Sequence, residues 1–311
     1  IKEMGKIAFV FAGQGAQARG MGKDAYDNSA AAKDIFDRAD KVRPETSDQC
    51  FNAEPEVLAE TRNTQPDIYT VDYTMAAMLE ENGVKADMVA GYSLGELAAL
   101  AYAGAYSFED GLKLVSKRGA LMQEASEKVE TGMVAVLKLD DEKVEELAAK
   151  YNEVYPVNFN CKGQISVAGN KAELEGFNAD CKAAGGLCRV LQVSGAFHSP
   201  FMAEAADKFA DDLAEADFAQ TNIPVYSNRM SMPYEGDADA YRSLLKEQIA
   251  NPIRWRILIE NMIAAGADTF IELGPGTALT KMITRISKDV KMLHVSDMAS
   301  LEATLAALKE E

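Results

Sequence analysis

The sequence GYSLG at residues 91–95 constrains this chain more than any other feature. It follows an apolar run, residues 86–90, that predicts a buried strand, and it precedes residues 96–101, which are strong helix formers. A G-x-S-x-G between a strand and a helix is typical of a nucleophile elbow, a turn so sharp that glycines must flank the serine. The free N–H groups of the helix then point toward a developing oxyanion. Ser93 is therefore a candidate nucleophile, and an ordinary strand-to-helix turn that happens to contain a serine is the alternative.

Strand-like and helix-like segments alternate on both sides of this turn. Residues 6–11 are an apolar run that ends in a glycine-rich turn, and residues 25–79 are mostly helical in character, with breaks expected at Pro44, Pro55 and Pro66. Further strands are predicted at 223–227 and 269–273, and helices at 238–249 and 255–265. Such alternation predicts an α/β fold with a mostly parallel sheet and helices on both of its faces.

The middle of the chain has a different rhythm. Its predicted segments run strand, helix, strand, strand, helix, strand, at residues 133–139, 141–150, 154–160, 164–168, 171–184 and 188–193. This order is the ferredoxin-like pattern. We therefore predict an inserted small subdomain at residues 129–195, with residues 1–128 and 196–311 forming the core.

A serine hydroxyl needs a base, and the chain has two histidines. His294 lies in an apolar, strand-like run, which favours a buried structural role. His198 lies in a loop of small residues bounded by proline, at 194–200, after a predicted strand. Elimination leaves His198 as the partner of Ser93, and their separation in sequence is no obstacle because such partners meet only in the fold.

Arg118 interrupts the apolar face of a helix predicted at 108–125, with Ser107 as its N-cap. An arginine is rarely buried without a partner. Its guanidinium can extend to water, form a salt bridge with a protein carboxylate, or clamp a substrate carboxylate in bidentate fashion. The helical position alone leaves all three open.

The sequence GQGAQ at residues 13–17 closes the first predicted strand. Its glycines permit close approach of the backbone, and the Gln14 N–H is a candidate second oxyanion donor. The segment lacks the Lys-Ser/Thr ending of a P-loop and the full dinucleotide fingerprint. On its own it indicates only a tight turn.

Composition excludes several classes of function. The formal net charge of −17 argues against nucleic acid as a partner, since phosphate binding needs a positive surface. No apolar stretch approaches the roughly 18 residues of a membrane span, and the first residues lack the apolar segment of a signal peptide, so we expect a cytoplasmic protein. The four cysteines form no CxxC pair and have no histidine at metal-ligand spacing, so we expect reduced thiols and no metal site.

Taken together, these residues resemble the malonyl-CoA:acyl carrier protein transacylases of fatty acid synthesis. The likeness runs over nearly the whole chain, from residues 11–17 to residues 272–276. The motifs that carry it between these ends are residues 64–66, 91–95, 117–119, 122–123, 158–160, 195–200 and 251–255.

The resemblance implies a role for each matching position. Ser93 would be the acylated nucleophile and His198 its base, oriented by a main-chain carbonyl near Gln248, so that a dyad replaces the full triad. The N–H groups of Gln14 and Leu94 would form the oxyanion hole. Arg118 would bind the free carboxylate of malonate. The remaining substrate-binding positions would be Gln65, Phe197, Asn158 and Gln248.

The resemblance also implies an α/β-hydrolase-like core with a ferredoxin-like insert and the active site between them. The implied reaction moves malonyl from coenzyme A to the phosphopantetheine thiol of acyl carrier protein, with no cofactor, in a monomer. Phe197 resembles the malonyl-selecting pattern. One departure is Tyr92, where the family usually has histidine, which is expected to alter local hydrogen bonding and leave the chemistry intact.

Acyl carrier proteins are acidic, so an acidic enzyme needs a local basic surface to bind one. The candidates are Lys281, Arg285, Lys288 and Lys291, with Arg189, Lys117 and Lys182 as further ones, and ordinary solvated charge is the alternative. Three rival functions stay open: an acyltransferase that supplies a polyketide synthase, a serine thioesterase or esterase, and a non-catalytic binding module. The first has the same chemistry, and the self-contained ends of the chain favour a discrete enzyme.

Overall fold

The computed structural model describes residues 5–193 and 195–310. The predicted core ranges also include residues 1–4 and Glu311, and the predicted subdomain and histidine loop include Ser194; these residues lie outside the described part. The strands are β1 Lys6–Phe11, β2 Met88–Gly91, β3 Thr131–Leu137, β4 Val154–Cys161, β5 Gln164–Asn170, β6 Leu187–Val190, β7 Val225–Tyr226, β8 Ala267–Leu273 and β9 Lys291–Val295.

The helices are α1 Lys23–Asn28, α2 Ala30–Val42, α3 Thr46–Asn52, α4 Pro55–Leu58, α5 Thr61–Glu81, α6 Gly95–Tyr102, α7 Phe108–Ser126, α8 Asp141–Ala148, α9 Lys171–Ala183, α10 Ala203–Glu215, α11 Ala238–Ile249, α12 Trp255–Ala264, α13 Ala278–Ile286 and α14 Met298–Lys309. The expected break at Pro66 is wrong, because this proline lies in the second turn of α5. A proline there removes one backbone donor, and the burial of most of α5 outweighs that loss.

Five parallel strands form the larger sheet, in the order β7-β2-β1-β8-β9. Along the central strand β1, Phe9 and Phe11 pack into one hydrophobic cluster, and Ala8 and Val10 pack into another. Successive side chains of a strand point to opposite faces, so this division shows that both faces of the sheet are covered. The predicted mostly parallel sheet is confirmed.

A second, antiparallel sheet has the order β4-β5-β3-β6. With α8 and α9 it follows the predicted β-α-β-β-α-β order and encloses a separate hydrophobic cluster that includes Val136, Ile165 and Phe177. The predicted fold class, a parallel α/β core with a ferredoxin-like insert, is therefore confirmed. The exact domain boundaries stay a prediction.

Two edge strands are shorter than predicted. β6 ends at Val190, and among the described residues that follow it only Leu191 still bonds to β3, through its N–H and the Met133 carbonyl. β7 has two residues, because Pro224 before it lacks an N–H and the Ser227 N–H already bonds to Met232 in a turn.

The candidate site lies where the two sheets meet. β1 and β2 end side by side, with Phe11 opposite Gly91, so the turns that follow them share one edge of the parallel sheet. The small sheet joins the core there through hydrogen bonds from the Phe159 N–H to the Ile253 carbonyl, 2.9 Å, and from the Ile253 N–H to the Val157 carbonyl, 2.8 Å. No helix in the described residues is both long and apolar enough to span a bilayer.

Candidate active site

Ser93 occupies the turn between β2 and α6 in a left-handed conformation, with φ 56°. A Cβ on Gly91 would lie 1.9 Å from the Gly95 carbonyl carbon, and a Cβ on Gly95 would lie 2.3 Å from the Phe11 oxygen. Such distances are far inside van der Waals contact, so both flanking positions require glycine. The strand-turn-helix geometry of a nucleophile elbow is present.

Asn228 holds this turn from outside the motif. Its Oδ1 accepts the Ser93 N–H at 2.8 Å, and its Nδ2 donates to the Gly91 carbonyl at 2.7 Å. A left-handed serine persists only where its surroundings over-determine it, and these two bonds do so. The residue follows β7, and no motif in the sequence pointed to it.

His198 lies against the serine. Its Nε2 is 2.8 Å from Ser93 Oγ, and its Nδ1 is 2.8 Å from the Gln248 carbonyl oxygen. A carbonyl can only accept, so Nδ1 carries the proton and Nε2 faces the serine hydroxyl as an acceptor. Burial, with the nearby positive charge of Arg118 as the second cause, lowers the pKa of His198 to about 3. The imidazole is therefore neutral at physiological pH and available as a base.

Arg118 is fully buried on α7, whose N-cap is Ser107 as predicted. Its Nη1 donates to Gln65 Oε1 at 2.7 Å, and its Nη2 donates to Gln248 Oε1 at 2.6 Å and to Ser93 Oγ at 3.1 Å. It does not extend to water, and it forms no ion pair with any described residue. Burial lowers its pKa to about 10, so it remains a cation at neutral pH. Of the three alternatives for Arg118, the clamp on a substrate carboxylate stays a prediction.

A cavity of about 250 Å³ opens in front of Ser93 and His198, between the core and the small sheet. Predicted site residues that line it are Gln14, Gln65, Ser93, Leu94, Asn158, Phe197 and His198. Arg118 and Gln248 lie behind this lining. In the part of the chain that the structure describes, the N–H groups of Gln14 and Leu94 donate to no acceptor. Two unused donors near the nucleophile suit an oxyanion hole.

Tyr92 connects the elbow to the small sheet. Its hydroxyl donates to Asn160 Oδ1 on β4 at 2.5 Å, and its ring meets Trp255 edge-on at 5.2 Å. Burial raises the pKa of Tyr92, so the phenol stays protonated. Among the described residues, Tyr92 makes no hydrogen bond with His198, and the effect of a tyrosine at this position stays a prediction.

Two other features differ from the sequence analysis. His294 lies in β9 as expected but is only partly buried, because β9 is at the edge of the sheet. Glu96, in the first turn of α6, is fully buried within the site and was missed. A signal was present, since Glu96 is the one charged residue between positions 94 and 104.

Comparisons with known proteins identify the family. The family described as acyl transferase domain matches residues 8–306. The malonyl CoA-acyl carrier protein transacylase of Bacillus subtilis (strain 168) is 38% identical, over 99% of each chain, and that of Synechocystis sp. is 34% identical, over 96% of this chain and 99% of the relative.

Solved structures give the same result. The malonyl CoA-acyl carrier protein transacylase from Clostridium perfringens matches with a TM-score of 0.95 and 41% identity, over 98% of each chain. A malonyl-transacylase in complex with a type II polyketide synthase acyl-carrier protein matches with a TM-score of 0.93 and 34% identity, over 97% of this chain and 99% of that one. The chain therefore belongs to the malonyl CoA-acyl carrier protein transacylase family of acyltransferases.

Proposed function

We propose that this chain transfers the malonyl group from malonyl-CoA to the phosphopantetheine thiol of an acyl carrier protein, through a malonyl ester of Ser93. The observation that carries the proposal is the contact of Ser93 Oγ with both a neutral imidazole, at 2.8 Å, and a buried guanidinium, at 3.1 Å. The first activates a nucleophile, and the second attracts an acyl group that ends in a carboxylate. The names of the relatives supply the donor and the acceptor.

The first half-reaction forms the ester. His198 Nε2 takes the proton of Ser93 Oγ as the oxygen attacks the thioester carbonyl, and the N–H groups of Gln14 and Leu94 receive the oxyanion. When the C–S bond breaks, His198 returns the proton to the sulfur and coenzyme A leaves as a thiol. The Gln248 carbonyl holds the Nδ1 proton throughout, which keeps Nε2 free for this transfer.

The second half-reaction reverses the roles. The carrier thiol gives its proton to His198 and attacks the ester carbonyl. The bond between the carbonyl carbon and Ser93 Oγ breaks, and the oxygen takes the proton from His198. No cofactor is required at either stage.

Arg118 binds the malonyl carboxylate in this scheme. Because it lies behind the cavity lining, the carboxylate reaches it by replacing contacts that Gln65 Oε1 and Ser93 Oγ now make. Phe197 lines the same cavity, where its ring hinders a branch at the malonyl α-carbon. Exclusion of one methyl group changes selectivity by about 1–3 kcal/mol. Asn158 lines the opposite, small-sheet side of the cavity and is proposed to contact the substrate there.

The carrier protein is proposed to dock beside α13. Lys281 and Arg285 border a second cavity of about 460 Å³, which shares Gln164 and Met282 with the active-site cavity. Basic residues at this place are suited to an acidic carrier and to its phosphopantetheine arm. Lys117, by contrast, borders a surface depression with Asp110 and three other carboxylates, which makes it a poorer candidate.

Intact-mass measurement after mixing with malonyl-CoA tests the proposal. The wild type should gain the mass of one malonyl group, and Ser93→Ala should gain none. Addition of a carrier protein bearing phosphopantetheine should then remove the adduct from the enzyme and place it on the carrier. Release of free malonate without a carrier would support a thioesterase instead, and absence of any adduct would support a binding module.

The same reaction in polyketide synthesis is a second candidate, favoured by the likeness to the malonyl-transacylase solved with a polyketide carrier. Rates with carriers of the two pathways distinguish them.

A further inference from the structure

Glu96 is a carboxylate in an environment that disfavours charge. It is fully buried in the first turn of α6, three residues after Ser93. Its Oε1 accepts the Asn228 N–H at 2.6 Å, and its Oε2 accepts Gln248 Nε2 at 2.9 Å. It forms no ion pair with any described residue. A buried carboxylate without a cation beside it calls for an explanation, because burial strongly disfavours an isolated charge.

The side-chain amide of Gln248 connects this carboxylate to a cation. Gln248 donates from Nε2 to Glu96, and its Oε1 accepts from Arg118 Nη2 at 2.6 Å. The amide can satisfy both neighbours in only one orientation, with its oxygen toward the guanidinium and its nitrogen toward the carboxylate. The two buried charges of the site are thus joined through a polarised side chain that separates them.

Gln248 also contacts the proposed base, His198. The main-chain carbonyl of Gln248 holds His198 Nδ1, and the positive charge of Arg118 disfavours a proton on that imidazole. In the mechanism above, His198 must become positive as Ser93 attacks. An anion that balances Arg118 therefore makes the proton transfer easier. A malonyl carboxylate supplies such an anion when it binds, and an acetyl group does not.

We propose that Glu96 is a positioning residue that serves as the built-in counter-charge of Arg118, acting through Gln248, until the carboxylate of the acyl donor takes over that role. This inference rests on the proposed function and deepens it. Glu96 then favours acylation by any donor, because its negative charge offsets the positive charge of Arg118. It also weakens the electrostatic attraction between Arg118 and the malonyl carboxylate. Its presence lowers the preference for malonyl over an uncharged acyl group.

Glu96→Gln tests this, because it removes the charge and keeps the shape. Gln248 Nε2 retains the Ser93 carbonyl at 2.9 Å and Asn228 Oδ1 at 3.2 Å as acceptors, so the bridge stays in place. The measurement is kcat/KM with malonyl-CoA and with acetyl-CoA. We expect the variant to lose acetyl transfer much more than malonyl transfer, so that the malonyl-to-acetyl ratio rises on the order of tenfold. We also expect KM for malonyl-CoA to fall.

Glu272→Gln is the matched control. Glu272 is equally buried and its carboxylate accepts the Leu279 and Thr280 N–H groups at the start of α13, remote from Arg118 in the network. Loss of a buried carboxylate there should affect both donors alike and leave the ratio unchanged. If Glu96→Gln also lowers both donors equally, or lowers the ratio, the counter-charge is refuted and Glu96 is a structural residue.

A pH profile gives a second readout. Burial is the main cause that raises the pKa of Glu96 to about 7. The titratable groups that face Glu96 are Arg118 on α7, Tyr106 between α6 and α7, and Tyr234 after β7. The pKa of Arg118 is about 10, and burial raises the pKa of each tyrosine well above its ordinary value. None of the three therefore titrates between pH 6 and 8.5.

His198, with a pKa of about 3, stays neutral over the same range. The malonyl-to-acetyl ratio of the wild type should therefore rise several-fold as the pH falls from 8.5 to 6, and that of Glu96→Gln should stay flat. A flat wild-type profile would overturn the inference. If the wild type forms no malonyl adduct on Ser93, the proposed function itself has failed; if the adduct forms and the ratios do not move, only the role of Glu96 has failed.

Discussion

Replacement of Arg118 by alanine is the sharpest test of how the site recognises its substrate. The side chain is fully buried and makes three hydrogen bonds of 2.6–3.1 Å, all to uncharged oxygens. It has no direct anionic partner among the described residues, and its Nε N–H donates to no acceptor there. Arg118→Ala removes the cation that a malonyl carboxylate would pair with, while Ser93 and His198 keep their 2.8 Å contact.

The size of the effect follows from the kind of contact. A hydrogen bond to a charged group is worth about 1.5–3 kcal/mol, which corresponds to roughly a 10- to 150-fold loss in kcat/KM. The loss should fall on malonyl-CoA, since acetyl-CoA offers no carboxylate. Assay of free coenzyme A released with each donor gives the malonyl-to-acetyl ratio, which should drop by that factor. Arg118→Lys, which keeps the charge and loses the planar fork, should give an intermediate ratio.

Arg43→Ala is the control for a simple loss of stability. Arg43 forms a largely buried ion pair with Asp67 at 3.0 Å, outside the set of residues that line the active-site cavity. It should lower the free energy of unfolding by several kcal/mol and leave the donor ratio unchanged. If Arg118→Ala keeps the full preference for malonyl over acetyl, the assignment of this arginine to the carboxylate is wrong.

Three further predictions follow from other parts of the molecule. Gly95→Ala should abolish acylation of Ser93, because the new Cβ would lie 2.3 Å from the Phe11 oxygen. Gly132→Ala, whose nearest contact would be an ordinary 3.5 Å, should retain acylation. A normal malonyl adduct in the Gly95 variant would contradict the elbow geometry. Asp72→Asn should raise the free energy of unfolding, since burial, and secondarily the charge of Glu272, raises the pKa of Asp72, whose carboxyl oxygens have no partner among the described residues. In the wild type, the folded state then holds a proton on Asp72 that the unfolded state releases above about pH 4. The increase in the free energy of unfolding, measured with urea, should therefore be larger at pH 8 than at pH 5. An increase that does not depend on pH would argue against this cause. Reversal of charge at Lys281 and Arg285 should raise KM for the carrier protein and leave KM for malonyl-CoA nearly unchanged; an unaltered carrier KM would reject docking beside α13.

Much of the fold is local in origin and was predictable from the sequence. Strand β1 and helix α11 have the predicted bounds, and the order of segments in the small sheet is as expected. These features depend on periodicity over a few residues and on turn chemistry, which the chain displays directly. Local rules fail at Pro66. They predict a helix break at this proline, but the burial of most of α5 allows the helix to continue through it.

By itself, the sequence determined the first glycine of the elbow, since a Cβ on Gly91 would clash with Gly95 and Glu96 a few residues on. The second glycine is a tertiary requirement, because a Cβ on Gly95 would clash with the Phe11 oxygen at the end of β1. Only the tertiary structure decided what surrounds the hydroxyl. Ser93 meets His198 across 105 positions, Glu96 meets Asn228 across 132, and Gln248 meets Glu96 across 152. No periodicity carries information over such separations. These contacts exist because β1 and β2 end at one edge and Gln248, in the last turn of α11, hydrogen-bonds to the elbow there. The fold thereby joins Ser93, His198, Arg118 and Glu96 in one network.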